Sequence, residues 1–503
     1  MPAKEIKELR QSGKLEEALT MAESELQVEP ENLWAKRNIS WVYYDYLKLN
    51  SSAENTNNFI SWLNKLKILA LPEGEKMLFE QIAWQIGKMV FNLLRTEHPD
   101  LKKEIQIFEI IQDLPFPKKT EAYSFLFKAL HKSLKDGDYY IQFAEWWDFS
   151  NFLPSDFEKE KLPNGKEVMS IVEQAYITFA KHLLPRNTSF GQVAFAEEKA
   201  NIFIPKIASL CESHPSMQYP PYFHAKLLLA SGNKNEALIK LLPFARKKRN
   251  DFWVWDILAE LFPNNPEKIF SCYCKALSCR SPEEMLTKTR QKFAGILISK
   301  KHFNEAKTEI EQLIKVKNEL GHSIPSEVNN WTNSDWYKSA TKFNNNYNFY
   351  KNNSTIAEEI LFQDLPKTKV FVEFVNTDKK ILNFMTVDNK RGFFKYENLI
   401  SRVKIGDILE VRFKNEITTE MNQVFTLTEI KDENFESNFI KKVEGKVRIS
   451  EGKNFGFLDD IYVHPTIVSK YNLVNSQTIK AKAIKTWNKE KKSIGWKILE
   501  IFE

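Results

Sequence analysis

A chain of 503 residues exceeds what one hydrophobic core usually supports, and it therefore predicts roughly three or four domains of ordinary size. Hydrophobic residues make up 43% and charged residues 27% of the sequence, which excludes a largely disordered chain and a coiled coil. The formal net charge of +6 is too small by itself to indicate a nucleic-acid partner.

The chain up to about residue 328 has apolar residues at helical spacing, interrupted by short breaker segments such as EPEN, ALPEGE and FPNNPE. This pattern predicts a region that is nearly all helix, arranged as helical hairpins. The opening residues have the period of an amphipathic helix and not of a secretory signal. No apolar run approaches the ~20 residues of a membrane span. We therefore expect a cytoplasmic protein with no membrane partner.

Small residues recur in this region where helical hairpins need close packing. The segments GKLEEAL, YFHAKLLLASGNKNEALIKLL and FAGILISKKHFNEAKTEIEQLI carry them, and these segments resemble the tetratricopeptide repeat, a helical hairpin of about 34 residues. The matching residues are Leu9, Gly13, Ala18, Ala22, Pro30, Ala225, Gly232, Ala237, Ala294, Phe303 and Ala306. The resemblance, weakest over about residues 50–205, implies an α-solenoid over residues 1–328. Such a solenoid either holds a protein partner or spaces other domains.

Two further features of the helical region are interpreted as core. The stretch YYIQFAEWWDFSNFLPSDF, with Trp146 and Trp147, predicts buried rings to which no role is assigned. Cys272, Cys274 and Cys279 lie in one predicted helix and lack the paired spacing of a tetrahedral zinc site. We expect small buried side chains there and no metal.

The helical pattern ends before residues 329–360. The segment NNWTNSDWYKSATKFNNNYNFYKNNS is rich in Asn and predicts a linker, parts of which dock on a neighbouring domain, and a short helix, TIAEEILFQ, follows it. Over residues 361–436 the apolar period becomes two. The five runs KVFVEFV, ILNFMTV, RGFFKY, GDILEVRF and QVFTLTEI predict a small five-stranded barrel of the oligonucleotide-binding (OB) type.

The terminal module, residues 440–503, is the basic part of the chain. It has 13 Lys and Arg against 7 Asp and Glu, and the rest of the chain is balanced. This distribution is expected where only the module meets a polyanion. Five strand-like runs recur: EGKVRI, NFGFL, IYVH, TIKAKAIKTW and GWKILEIF. KNFGFL and DDIYVH stand where the cold-shock domain has its two ribonucleoprotein motifs, and the module resembles that family, an OB-type β-barrel, over its whole length.

Side chains alternate between the two faces along a strand. Phe455 and Phe457 therefore share the outer face, and Tyr462 and His464 take the outer face of the next strand. An exposed aromatic patch is costly unless something covers it, and unpaired bases suit it because each presents a π-face. The candidate nucleic-acid-binding residues are these rings, nearby cations and one further ring: Lys446, Arg448, Lys453, Phe455, Phe457, Tyr462, His464, Lys482, Lys485 and Trp487.

The module departs from the cold-shock pattern in its first strand, where Arg448, Ile449 and Ser450 replace a Trp-Phe pair. We therefore expect weaker binding, compensated by the first barrel, in which LNFM and RGFFKY resemble degenerate versions of the two motifs. The candidates there are Phe384, Phe394 and Tyr396. Two alternatives stay open: Trp487 packs on its own hairpin instead of stacking on a base, and the aromatic patch packs against the first barrel or the solenoid.

The sequence contains no phosphate loop, nucleophile elbow, paired metal ligands or helix-borne His-Glu pair. We expect no catalytic residues, metal or cofactor. The residues favour an adaptor whose solenoid binds a protein and whose barrels bind single-stranded RNA or DNA, which base stacking does not distinguish. The alternative is a protein-interaction scaffold or regulatory subunit whose barrels bind protein. The architecture resembles bacterial proteins, some linked to conflict or defence systems, that join tetratricopeptide repeats to such barrels.

Overall fold

The computed structural model describes residues 2–162, 164–188, 191–488 and 491–502. The chain divides into two compact units, Met1–Ser354 and Thr355–Glu503. The first is mainly helical and the second mainly β, as the change of apolar period predicts. None of the helices in the described ranges is both long and apolar enough to cross a lipid bilayer.

The described elements of the first unit are helices α1 to α19, with four short strands and three 3₁₀ turns. The helices are Pro2–Gln11, Leu15–Val28, Leu33–Leu49, Thr56–Ile68, Lys76–Leu93, Leu101–Ile111, Glu121–Leu134, Tyr140–Trp147, Ile171–Leu183, Glu197–Ser213, Pro220–Ala230, Lys234–Lys247, Phe252–Glu260, Pro266–Ser278, Glu283–Ser299, Phe303–Glu319, Ser326–Thr332, Asp335–Ser339 and Tyr347–Asn353. The 3₁₀ turns are Ala53–Asn55, Phe149–Asn151 and Pro154–Phe157.

Two small hairpins interrupt the helices, and the sequence pattern did not predict them. Strand β1 (Glu160–Lys161) pairs antiparallel with β2 (Glu167–Val168), and β3 (Arg186–Thr188) pairs with β4 (Gly191–Val193). Strands of two or three residues are too short to show an apolar period of two. The prediction of a nearly all-helical region is therefore right except at these two connections.

The turns inside three helical hairpins share one geometry. Each contains a left-handed residue, Gly13, Gly232 or Lys301, with φ of 77°, 85° and 62°. The next N–H then donates to the carbonyl five residues earlier, at 2.8–2.9 Å, which closes the preceding helix. Glycine adopts this conformation without strain. The glycines of the repeat-like segments are therefore turn residues that return the chain antiparallel to itself.

The alanines that carry the repeat resemblance lie between packed helices. Ala18, Ala22, Ala225, Ala237, Ala294 and Ala306 are all buried. Three successive hairpins, α11–α12, α13–α14 and α15–α16, begin at Pro220, Phe252 and Glu283, close to the period of about 34 residues of tetratricopeptide repeats. The middle hairpin is the one predicted from NDFWVWDILAELF and KIFSCYCKAL. The unit is thus built as a TPR-like series of hairpins.

The aromatic-rich stretch around residues 139–157 belongs to the core of this unit, as predicted. Trp147 is fully buried, its Nε1–H donates to the carbonyl of Tyr123 at 3.2 Å, and its ring stacks on that of Tyr123 at 5.1 Å. Trp146 is partly buried against the same core and donates to the carbonyl of Gln112 at 3.1 Å. Because both indole N–H groups are bonded to backbone, these rings have structural roles.

The Asn-rich segment predicted as a linker is instead part of the helical unit. It forms α17 to α19, and the carboxylate of Glu309 in α16, which is fully buried, accepts hydrogen bonds from Asn346 Nδ2 at 2.6 Å and from the Tyr350 hydroxyl. Arg290 of α15 forms an ion pair with the same carboxylate. Buried polar groups must be paired in this way, so the segment is held in place.

The second unit begins with α20 (Thr355–Leu361) and contains two five-stranded β domains joined by α21 (Glu433–Glu436). The strands of the first are β5 to β9, Thr368–Asn376, Ile381–Met385, Arg391–Lys395, Ile408–Phe413 and Val424–Ile430. The strands of the second are β10 to β14, Ile440–Arg448, Gly456–Leu458, Ile461–Val463, Thr478–Asn488 and Ser493–Phe502, with α22 (Pro465–Lys470) after β12.

Both domains have the strand order of an OB-type barrel. The second is a closed barrel in the order β10-β11-β12-β14-β13, closed by the β10–β13 pair. The first is a five-stranded sheet in the equivalent order β7-β6-β5-β8-β9. The parallel link that joins β12 to β14 in the second barrel corresponds in the first to a single parallel bridge, Phe393 to Met421. The two domains therefore have the same strand topology.

The two barrels pack against each other through a small apolar cluster. Phe371, Met385, Phe439 and Ile484 are all fully buried in it. The rings of Phe371 and Phe439 are parallel, with centroids 4.8 Å apart. Within the second barrel, the backbone N–H of Lys485 donates to the carbonyl of Phe439 at 2.8 Å and so holds Phe439 on β13. The packing of Phe371 on Phe439 orients the second barrel relative to the first.

Candidate nucleic-acid interface

The outer face of the second barrel carries a row of cross-strand pairs. Arg448 of β10 lies opposite Phe457 of β11, and Phe457 lies opposite Tyr462 of β12. The intervening residues Leu458 and Val463 point inward and are buried in the barrel core. Residues directly opposite on paired strands share a face. The alternation read from the sequence is therefore the alternation in the structure.

Four rings meet on this face, and we call Phe455, Phe457, Tyr462 and His464 the ring platform. Phe457 lies 5.8 Å from Tyr462 and 6.0 Å from Phe455, centroid to centroid, and Tyr462 lies 6.1 Å from His464. The interplanar angles are between 47° and 87°. These contacts are tilted or T-shaped, so none of the rings is stacked face to face on another. The three larger rings are half-buried and His464 is exposed, so the platform offers π-faces to a ligand.

Cations border one side of the ring platform. Lys446 and Arg448 lie on the outer face of β10, and Lys453 lies in the turn before β11; all three are exposed. The Arg448 guanidinium donates to the carbonyl of Asp459 at 2.9 Å, which holds it beside the β11–β12 turn. The structure thus brings together the predicted rings and these three predicted cations.

His464 has a structural role that the sequence analysis did not predict. It is the N-cap of α22: its Nδ1 accepts from the backbone N–H of Thr466 at 3.2 Å, and Pro465 occupies the first helical position. Because Nδ1 is an acceptor, the ring carries its proton on Nε2 when neutral. The His-Pro pair was the signal available in the sequence, since proline favours the first turn of a helix.

Two of the predicted lysines lie away from the ring platform. Lys482 forms an ion pair with Glu436 of α21 at 3.4 Å. The Lys485 ammonium donates to Asn389 Oδ1 of the first barrel at 3.2 Å. Both side chains are on β13, which is separated from β12 by β14. A phosphate contact from these lysines therefore stays a prediction, at a place distinct from the rings.

Trp487 packs against the first barrel. The guanidinium carbon of Arg391 lies 3.1 Å from the centroid of the Trp487 ring. The backbone N–H of Trp487 donates to Glu373 Oε2 at 2.9 Å. One face of the indole is therefore occupied by a cation. Neither reading considered from the sequence, base stacking or packing on its own hairpin, included this arrangement.

The three aromatic candidates of the first barrel are wrong as stacking residues. Phe384 and Phe394 have 0% and Tyr396 has 3% of their surface exposed, and all three belong to the core of that barrel. The outward positions of the same strands are Asn383 and Phe393. The apolar pattern of β6 and β7 did not reveal this parity, because both faces of these strands carry large apolar side chains.

Gly456, between the two phenylalanines of NFGF, allows β10 and β11 to approach each other closely. A Cβ at this position would lie 2.9 Å from the carbonyl oxygen of Arg448 and 3.1 Å from a side-chain carbon of Val447. Only glycine therefore fits this close approach of β10 and β11.

We expect Gly456→Ala to destabilise the barrel by about 1–3 kcal/mol, because the added methyl group must push β10 away. Gly495→Ala is the matched control, since nothing lies within 4 Å of a Cβ at that position in the same barrel. Thermal unfolding of both variants of the full chain measures the difference. Equal midpoints for Gly456→Ala and Gly495→Ala would contradict the packing argument.

The cysteines and histidines of the described ranges do not assemble into a site. No group of three or more His, Cys, Asp or Glu side chains in the part of the chain that the structure describes is arranged to hold a metal ion. Cys272 and Cys274 are fully buried in α14, as predicted, whereas Cys279 directly follows that helix and is only partly buried. Burial raises the pKa of the Cys272 thiol to about 12. A thiol in this environment stays protonated near neutral pH.

Comparison with known proteins identifies both barrels. Residues 362–421 match the family described as S1/CSD-like domain 1 of the TOTE conflict systems, and residues 441–501 match S1/CSD-like domain 2 of the same systems. Residues 218–357 match a domain of unknown function, DUF7017. This match includes residues 329–354, the segment that the structure assigns to the helical unit.

No curated protein matches the chain. Among solved structures, that of yeast Tom70 is 12% identical and covers 64% of this chain and 76% of its own, with a TM-score of 0.24, which is too low to support an argument about the fold. The family matches and the strand order of the barrels agree with each other. The chain therefore carries two S1/CSD-like domains within residues 362–501, after a helical region built of TPR-like hairpins.

Proposed function

We propose that this protein is a non-catalytic adaptor: the second barrel binds single-stranded RNA or DNA on the ring platform, and the TPR-like hairpins bind a protein partner. The observation that carries the first part is the grouping of four rings on one outer face with Arg448, Lys446 and Lys453 beside them. Stacking on aromatic rings together with salt-sensitive phosphate contacts is the usual way in which such barrels hold a single strand.

The family descriptions support a biological setting for the proposed adaptor. Both barrels match domains named after the TOTE conflict systems. We infer that the chain serves such a system by joining a nucleic acid to a protein component. Three cations and four rings on one face fit a short single strand better than a duplex, because a duplex does not present its bases for stacking.

Salt dependence tests the electrostatic half of this proposal. We expect the full chain to bind labelled 12-nucleotide RNA and DNA strands in fluorescence-anisotropy titrations, with affinity falling roughly tenfold or more between 50 and 200 mM salt if about three phosphates are neutralised. Lys446→Ala/Lys453→Ala should reduce the slope of log affinity against log salt. Glu319→Ala, on an exposed helix position of the first unit, is the control.

Two results would overturn the proposal. If the full chain binds neither strand at 50 mM salt, the proposed nucleic-acid binding is contradicted, and the alternative that the barrels bind protein is favoured. Binding that is equally strong at both salt concentrations removes the lysine contacts, since aromatic protein contacts change little with salt.

A further inference from the structure

The first barrel has an outward face at the same position in the fold as the ring platform. In the second barrel the row across the strands is Arg448, Phe457, Tyr462 and Lys497, which lie on β10, β11, β12 and β14. In the first barrel the equivalent row is Phe374, Asn383, Phe393 and Met421, on β5, β6, β7 and the residues before β9. Phe393 takes the place of Tyr462, because each sits at the parallel link that closes its barrel.

The residues of this row, which we call the second face, are open. Phe374 is 48% and Met421 44% exposed, and Asn383 and Phe393 are partly exposed. Lys395, two residues after Phe393 on the same face, is exposed. Two outward rings, a thioether and a cation thus occupy one side of a barrel whose core is made by other residues, Phe384 and Phe394 among them.

A β-bulge explains why Phe374 is exposed. Val372 pairs with Phe384 and Phe374 with Asn383, so Glu373 is an extra residue in β5. Without it, the strand alternation would continue from inward Val372 to put residue 374 inside the barrel. The bulge therefore changes the direction of the strand at the edge of the contact between the barrels and turns Phe374 outward.

The second face and the ring platform meet at the contact between the barrels. Tyr462 of the platform bridges to Lys497 of β14. Lys497 lies opposite Ile484 of β13, and Ile484 is buried with Phe371 of β5 in the contact between the barrels. Phe371 lies on the outer face of β5, separated from Phe374 by one cross-strand pair. A path of neighbouring residues thus runs from Tyr462 through Lys497, Ile484 and Phe371 to Phe374.

We propose that one nucleic-acid strand crosses both barrels, stacking bases on the ring platform and then on Phe374 and Phe393 of the second face. This inference rests on the proposed function and extends it to the first barrel. The charges fit this occupant, since Arg448 and Lys453 border one end of the path and Lys395 the other. The fixed packing of Phe371 on Phe439 holds the two surfaces in register before the strand arrives.

The length of the bound strand tests this proposal. Labelled single strands of 4 and 16 nucleotides are titrated into the full chain, the shorter strand being enough for one barrel. We expect the longer strand to bind more tightly to the wild type. The variant Phe374→Ala/Phe393→Leu should bind the 16-nucleotide strand about tenfold more weakly than the wild type does. Its affinity for the 4-nucleotide strand should equal that of the wild type. Leucine at 393 keeps an apolar side chain but removes the π-face.

Ile356→Ala, at an exposed position of α20, is the control, and the thermal unfolding midpoint of each variant checks that the barrels remain folded. If wild type and variant bind the 16-nucleotide strand with equal affinity, the second face does not bind the strand, and the proposed function is unaffected. Loss of the 4-nucleotide affinity in the variant also overturns binding by the second face, because the substitutions then act through the second barrel. Failure of the wild type to bind either strand overturns the proposed function itself.

Discussion

Replacing both phenylalanines of the ring platform, Phe455→Ala/Phe457→Ala, should weaken single-strand binding at least about thirtyfold, the largest effect expected of any change in the barrels. Each stacked base contributes roughly 1–3 kcal/mol, and two rings are removed. Both rings lie outside the apolar core of the barrel, which is formed by Val447, Leu458 and their inward neighbours. Fluorescence anisotropy with a 12-nucleotide strand at 100 mM salt measures the loss.

The control for this variant is Phe502→Ala in the same barrel. Phe502 is also exposed but lies opposite Lys480 on β13, away from β11 and β12. We expect its affinity to stay within about twofold of the wild type. The salt slope of Phe455→Ala/Phe457→Ala should be unchanged, since the lysines remain. An equal loss in both variants would show that exposed rings anywhere on the barrel suffice, and no loss in either would exclude stacking on the ring platform.

Glu309→Ala should produce the largest loss of stability in the helical unit. Its buried carboxylate pairs with Arg290 and accepts from Asn346 and Tyr350. Removing one partner of a buried ion pair leaves the other charge uncompensated, which costs roughly 3–5 kcal/mol. The hydroxyl of Tyr350, whose pKa is raised by burial and by this carboxylate, also loses its acceptor.

Native-state proteolysis distinguishes this effect from a general loss of stability. Because Asn346 and Tyr350 hold α19 on the helical hairpins, Glu309→Ala should expose residues 329–354 to cleavage under conditions in which the wild type resists it. Glu319→Ala, an exposed residue of the same helix, should behave as the wild type. Arg290→Met/Glu309→Leu should restore only the part of the resistance that the unpaired arginine charge removes, because Asn346 and Tyr350 still lack their acceptor. Identical cleavage of Glu309→Ala and Glu319→Ala would contradict the role assigned to the buried pair.

The sequence alone predicted the structure correctly where a particular residue type meets a local requirement of packing or of strand alternation. The alanines of the repeat-like segments predicted close helix packing, and they are buried between helices. Gly13 and Gly232, interpreted from the sequence as packing residues too, are instead left-handed turn residues. In NFGFL and IYVH the aromatic rings alternate with glycine or aliphatic side chains, which predicted that the rings point outward, and the cross-strand pairs confirm it. The four rings of the platform were therefore available from the sequence, although their binding of nucleic acid stays a prediction.

Contacts between distant residues decided the rest. Both faces of β6 carry buried apolar side chains: Phe384 lies in the core of the first barrel, and Met385 is buried in the contact with the second barrel. Alternation therefore did not predict which rings of β6 and β7 point outward. The Asn-rich segment 329–354 is held by Glu309, far away in the sequence, and the environment of Trp487 is set by Arg391 of the neighbouring barrel. The sequence by itself determined the elements and their faces, since turns and periodicity are local. Only the tertiary structure decided which faces are covered, because burial depends on what packs against them.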